Sequence, residues 1–209
     1  MLGDDVVDLR DPEAAPGATH PRFDERVFAA AERTLLEDAG SPTRLRWTLW
    51  AAKESAFKAA RKIDSRTVFS PARFVVRLAN DGEASVAHAG RSFAVRIVQS
   101  DGAVHAVALA RPAPSADVVA GSLGVRAGDP SAAARRFAVG RLAAYLGIDP
   151  ARLAIVRRQR IPLLLVDGRP DAVDLSLSHH GGVIGFAALV PRRAQRRNEA
   201  WPGALEVRP

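Results

Sequence analysis

Apolar residues at helical spacing predict two helices early in the chain. Val27, Ala31 and Leu35, with Ala30 and Thr34 beside them, mark one over Arg26 to Asp38. Leu45, Leu49, Ala52 and Ala56 mark a second over Thr43 to Lys62. A short apolar run, Val6 to Leu9, reads as a strand ahead of them. Three strands follow, Phe74 to Leu78, Phe93 to Val98 and Val104 to Ala110, punctuated by Asn80-Asp81-Gly82 and Ser100-Asp101-Gly102. The stretch Pro112-Ala113-Pro114-Ser115 reads as a linker. Beyond it, Asp129-Pro130-Ser131 opens and Gly147 closes a helix over Ser131 to Leu146. Pro162 to Val166, Val173 to Leu177 and Val183 to Val190 complete the pattern as strands. In the middle one Val173, Leu175 and Leu177 alternate with Asp174, Ser176 and Ser178, so one face is expected to be buried. Each half therefore reads as helix first and hairpins after, which predicts an α+β fold of two similar lobes, with no close internal repeat in the sequence.

Composition narrows the class. With 47% hydrophobic and 25% charged residues among 209, the chain reads as an ordinary folded protein rather than a disordered, collagen-like or coiled-coil one. Cys 0 excludes disulfides, thiolate metal sites and a cysteine nucleophile. The start, Met1-Leu2-Gly3-Asp4-Asp5, carries acid where a secretory leader carries base, and Val183 to Val190 is too short to span a bilayer. A cytoplasmic location without membrane association is expected. Charge is the unusual feature: 30 basic against 23 acidic residues gives +7. Residues 1–112 hold 16 basic and 15 acidic side chains, residues 113–209 hold 14 and 8. Lys53, Lys58 and Lys62 are the three lysines; every other basic residue is arginine. The basic second half points to an anionic partner, or to a solvated arginine-rich surface.

Four clusters could carry chemistry. Asp5 and Asp8 flank the first strand, and hard cations seek such carboxylate oxygens, although acids near a chain start are also commonly just solvated. Glu54 and Lys58 share a helix face at i and i+4, which suits either an ordinary ion pair or a metal ligand beside a phosphate clamp. Glu32 adds a helical carboxylate. Ser176-Leu177-Ser178-His179-His180-Gly181-Gly182 closes a strand and turns, as a phosphate-gripping turn or an exposed hairpin would. A serine-hydrolase reading lacks Gly-x-Ser-x-Gly, and adjacent His179 and His180 point apart on an extended chain, which disfavours zinc.

Together these residues resemble the 4'-phosphopantetheinyl transferase superfamily. Gly3-Asp4-Asp5-Val6-Val7-Asp8-Leu9 is similar to its Gly-x-Asp strand, and Arg22-Phe23 through Arg26-Val27-Phe28 to Glu32 to its Arg-Phe…Glu helix. Trp50 through Lys58 fits Trp-x-x-Lys-Glu-(Ala/Ser)-x-x-Lys, and Ser176-Leu177-Ser178-His179 its Ser-Leu-Ser-His strand end. Arg135 to Gly147, followed by Ile148-Asp149-Pro150, resembles the helix and turn of the longer, surfactin-synthetase-activating type. The halves stand in swapped order relative to that type: the Gly-x-Asp lobe, residues 1–112, comes first and the Ser-His lobe, residues 118–190, second, ahead of a basic tail, 191–209, expected to be disordered. Such an exchange places Leu2 near the end of the Val183 to Val190 strand.

The resemblance implies a monomeric pseudodimer that transfers the 4'-phosphopantetheine arm of coenzyme A to a serine of an acidic apo carrier protein (acyl, polyketide or peptidyl) and releases 3',5'-ADP. It implies Mg²⁺ on Asp5, Glu54 and Glu32; Glu54 or Glu32 as the base; Lys58 stabilising phosphate charge; and Arg135, Ser178, His179 and Lys58 holding the coenzyme. Two departures stand out. Val7 occupies the place of a second strand acid found in many long-type members. The family's Gly-Lys-Pro has only Arg160-Ile161-Pro162 and Gly168-Arg169-Pro170 as counterparts. Those departures leave open a non-catalytic module binding coenzyme A or a carrier protein. Nucleic-acid binding by Arg157-Arg158-Gln159-Arg160 and the tail arginines lacks interleaved aromatic residues.

Overall fold

The computed structural model describes residues 1–110, 113, 115–125 and 128–192. Pro112 and Pro114 of the expected linker, and 193–209 of the basic tail, lie outside the described residues.

The first lobe opens on strand β1 (Leu2–Asp8), which is buried along nearly its whole length. Gly3 explains how it can be: a Cβ there would stand 2.2 Å from the Ser55 carbonyl oxygen and 2.7 Å from the Ala59 amide nitrogen. The bare glycine lets β1 lie directly on helix α3 (Pro42–Ile63), whose buried face is built of small residues, Ala51, Ala52, Ser55, Ala56, Ala59 and Ala60. Between them the single helix expected over 26–38 is two, α1 (Phe23–Val27) and α2 (Ala30–Glu37). Phe28 drops into the core with an extended backbone, and Glu32 turns back to accept the Ala29 amide at 2.7 Å, capping a new helix start.

A meander completes the lobe: β2 (Val75–Leu78), β3 (Glu83–His88), β4 (Arg91–Gln99) and β5 (Ala103–Leu109). The antiparallel sheet runs β1-β5-β4-β3-β2. Asp81 (φ 56) and Gly82 (φ 75) make the expected tight turn.

The second lobe repeats the plan. Strand β6 (Ala116–Gly124) precedes α4 (Pro130–Leu146), and β7 (Leu153–Arg158), β8 (Ile161–Val166), β9 (Arg169–His180) and β10 (Val183–Pro191) follow, in the order β6-β10-β9-β8-β7. In both lobes the opening strand pairs with the last, and a helix covers the sheet. The α4 termini are as read: the Asp129 carboxylate accepts the Ser131 amide, and Gly147 takes the left-handed conformation at φ 66.

Each lobe has its own core, and a small third cluster, Leu2, Val107 and Ala187 with Leu109, Ala120 and Leu189 against it, joins them. Leu2 and Leu189 thus sit together, the proximity expected of exchanged halves. Polar groups continue the seam: Lys62 Nζ donates to the Leu2 carbonyl (2.8 Å), Asp174 Oδ1 (2.7 Å) and the Leu175 carbonyl (2.8 Å). Among the described residues no helix is long and apolar enough to cross a membrane.

Candidate active site

A cleft of about 240 Å³ opens where β1 and α3 of the first lobe meet the end of β9 from the second. Its walls include Asp5, Val7, Trp50, Glu54, Lys58, Ser178, His179 and His180. The helix repeat sets Trp50, Glu54 and Lys58 on successive turns of one face, and the strand alternation turns Asp5 toward them.

Lys58 is the hub. Its ammonium donates to Asp5 Oδ1 at 2.8 Å and to the Asp4 carbonyl at 2.9 Å, and Glu54 Oε1 stands 3.9 Å away. Burial pushes the Asp5 carboxyl up, and the neighbouring Glu54 charge adds to this; Lys58 opposes it, and the result is about 7. Burial alone would lower Lys58, but Asp5, Glu54 and Asp4 together hold it above the ordinary lysine range. Two carboxylates and one cation leave the cleft short of positive charge.

Hard-cation chemistry fits that donor set. Asp5 and Glu54 offer oxygens from neighbouring elements, and Asp5 is costly to ionise without a further cation. Val7, where a second strand acid could have stood, lines the cleft as a buried apolar residue.

Glu32 is placed elsewhere. It is buried outside this cleft, with Lys53 Nζ at 2.8 and 2.6 Å from its two oxygens and the Ala29 and Val76 amides donating to it. All its acceptor capacity facing the core is engaged in fixing α2, α3 and β2. The Lys53 ammonium, fully buried, also donates to the Phe74 carbonyl at 2.5 Å and the Pro71 carbonyl at 3.2 Å.

On the phosphate side, His179 is exposed and its Nε2 lies 3.5 Å from Ser131 Oγ at the start of α4. Arg135 stands one turn further along α4, half-buried, its guanidinium without a hydrogen bond or ion pair among the described residues. The Ser178 hydroxyl, by contrast, is buried and donates to Asp4 Oδ2 at 2.5 Å, so its proton is not directed into the cleft. Arg160 sits in the β7–β8 turn and Arg169 at the start of β9; both are exposed and neither lines the cleft.

Asp11, Glu13 and His180 also cluster, with one ligand atom of each within 4.8 Å of the others. The His180 Nδ1 accepts the Asp8 amide at 3.2 Å, so a neutral ring carries its proton on Nε2 and offers these acids a donor rather than a lone pair. Asp8 itself is spent on backbone, accepting the Gly182 and Arg10 amides.

Sequence reasoning passed over two residues. Asp4 and His105 form a buried pair at 3.2 Å behind the cleft, from β1 and β5. Asp4 could have been flagged as a polar residue within a strand buried on both faces; nothing local announced His105.

A family model, the 4'-phosphopantetheinyl transferase superfamily, matches residues 1–110. Among solved structures the chain is similar to a holo-acyl-carrier-protein synthase of Thermotoga maritima, with 17% identity over 81% of this chain and 83% of that one, at a TM-score of 0.39. No curated protein matches.

Proposed function

Because the chain belongs to the 4'-phosphopantetheinyl transferase superfamily, we propose that it moves the 4'-phosphopantetheine arm from coenzyme A to a serine of an apo carrier protein. The observation that carries this is the convergence of Asp5, Glu54 and Lys58 from one lobe with His179 from the other on a single cleft. The transfer needs charge neutralisation and alignment more than covalent help, and these residues offer both.

Asp5 and Glu54 would hold Mg²⁺, which when bound neutralises the pyrophosphate of the coenzyme. Lys58 lies against the Asp5 carboxylate at the cleft wall, from where it would give its charge to a phosphate oxygen. His179 and Arg135 would grip the coenzyme's phosphates from the second lobe. Glu54, on the open side of the cleft, would take the proton of the carrier serine. The serine oxygen then bonds to the β-phosphorus as the bond from that phosphorus to the bridging oxygen breaks, and 3',5'-ADP carries away the bonding pair. The excess of arginine over acid in residues 113–209 suits both coenzyme A and an acidic carrier.

The test is incubation with apo acyl, polyketide and peptidyl carrier proteins, coenzyme A and Mg²⁺, followed by mass measurement of each carrier. A mass gain of one arm on at least one carrier is expected. No gain on any carrier, alongside a working control transferase, would overturn the reading; coenzyme A binding without transfer would favour a binding module. Glu54→Gln should keep its melting temperature and lose about 10² to 10⁴-fold in turnover, the worth of a positioned base.

A further inference from the structure

Strand β9 runs beside β1 and meets its outward amides with side chains instead of a backbone ladder. The Leu2 amide donates to Asp174 Oδ2 (2.6 Å), the Asp4 amide to Ser176 Oγ (3.0 Å) and the Asp8 amide to His180 Nδ1 (3.2 Å). The register is constant, each acceptor lying 172 residues further on. By that register Ser178 stands opposite Val6. Its hydroxyl turns back one step and donates to Asp4 Oδ2.

The same oxygen of Asp4 meets His105 Nε2 from β5 at 3.2 Å. Asp4 is fully buried, and its Oδ1 has no hydrogen-bond partner among the described residues. Burying a carboxylate with one bare oxygen carries a desolvation cost that its partners must offset, and an apolar pair would close the seam without that cost. What the arrangement provides is linkage. Through its side chain Asp4 holds Ser178, the neighbour of His179; through its carbonyl it holds Lys58 Nζ at 2.9 Å; and the next residue is Asp5. One residue therefore ties the phosphate side of the cleft to the metal side.

We propose that Asp4 is a positioning residue that locks the two lobes in register and so sets the gap a ligand must span between Asp5–Lys58 and His179. That the ligand is coenzyme A rests on the proposed transfer. The lock itself does not.

Asp4→Ala, Asp4→Asn, Ser178→Ala and the Asp4→Ala/Ser178→Ala double variant test it. In Asp4→Ala the KM and calorimetric Kd for coenzyme A should rise about tenfold, on the scale of one lost buried charged hydrogen bond, while kcat at saturation changes far less. Asp4→Asn keeps an oxygen to accept from Ser178 and should recover most of that affinity. The double variant should be no worse than Asp4→Ala, because both changes break one link. Backbone amides of residues 176–180 should exchange faster in Asp4→Ala although they belong to the other lobe.

Additive losses, equal damage from Asn and Ala, or unchanged exchange in residues 176–180 would each overturn the proposal. If Asp4→Ala does not fold, Ser178→Ala leaves the His105 pair intact and must show the same affinity loss and faster exchange. Hydrogen exchange needs no turnover, which separates the two ideas. Faster exchange in a protein that transfers nothing would retain the lock and sink the reaction; normal transfer with unchanged exchange would do the reverse.

Discussion

Consecutive strand residues face opposite sides, and in β1 that alternation gives Asp4 and Asp5 opposite electrostatics. Burial raises both carboxyls, but around Asp4 the His105 and Ser178 hydrogen bonds and the His105 and Lys58 charges win, and its pKa falls below the ordinary aspartate range. Around Asp5 burial and Glu54 win, and it rises to about 7. An acid with a raised folded pKa binds its proton more tightly when folded, so stability is lost as pH climbs from about 4 to 7. In chelator, Asp5→Asn should remove that slope and melt above the native chain at pH 8, with the gap closing near pH 4.5; a native chain equally stable at both values would contradict the assignment. Lys58→Arg tests shape at constant charge. A planar fork cannot replace an ammonium that meets the Asp4 carbonyl and Asp5 from one point, and turnover should drop at least tenfold while the melting temperature moves little.

At the scale of elements, packing of β1 on α3 depends on Gly3. Gly3→Ala forces a methyl against helix backbone that has no rotamer to yield, and should cost about 1–3 kcal/mol or more in urea unfolding. Gly40→Ala, with nothing within 4 Å, is the control and should be near neutral. Helix α3 was legible in the sequence through its apolar period and α4 through its Asp129 and Gly147 ends, as were β2, β4 and β5 beside Asp-Gly turns. Those missed share a cause. The β3–β4 turn opens on Ala89 (φ 46) ahead of Gly90, and the β7–β8 turn is Gln159 (φ 50) and Arg160 (φ 67); Ala89, Gln159 and Arg160 do not announce a left-handed conformation, so β3 and β7 went unseen. Strand β6 carries Gly121, Ser122 and Gly124, residues depleted in strands, and gave no strand signal. The break between α1 and α2 was invisible because Phe28 fits a helical period and leaves it only to reach the core. Glu54 and Lys58 were legible as one helix face from their i and i+4 spacing; Asp5 joined them only through the family resemblance, because it meets Lys58 by tertiary packing of β1 on α3. The environment of Glu32 was not legible, because Lys53 and Val76 reach it through tertiary packing.

For the whole molecule, two lobes of one topology meet at a cleft whose acids come from the first lobe. On β6, Ala120-Gly121-Ser122-Leu123 follows the pattern of Leu2-Gly3-Asp4-Asp5 on β1, although a Cβ on Gly121 would stand 3.4 Å from the Phe137 ring of α4, ordinary contact, where one on Gly3 would clash with the α3 backbone. By that pattern Leu123 stands where β1 has Asp5, so this position of the second lobe carries no acid. Calorimetry should accordingly find one coenzyme A per chain; two would refute this asymmetry. The three lysines of α3 take their meaning at this scale too. Lys53 is sealed inside the first lobe, Lys62 bridges to the second at 7% exposure, and Lys58 alone opens to the cleft at 26%. With arginine everywhere else, an amine-selective acylating reagent finds one accessible side chain in the folded protein. The Met1 amino group is exposed as well, and the acids around Lys58 hold its proton and slow its reaction. The rate of labelling at Lys58, read by peptide mass, therefore gauges whether the cleft is filled, and labels on Lys53 and Lys62 report the moment either lobe comes apart.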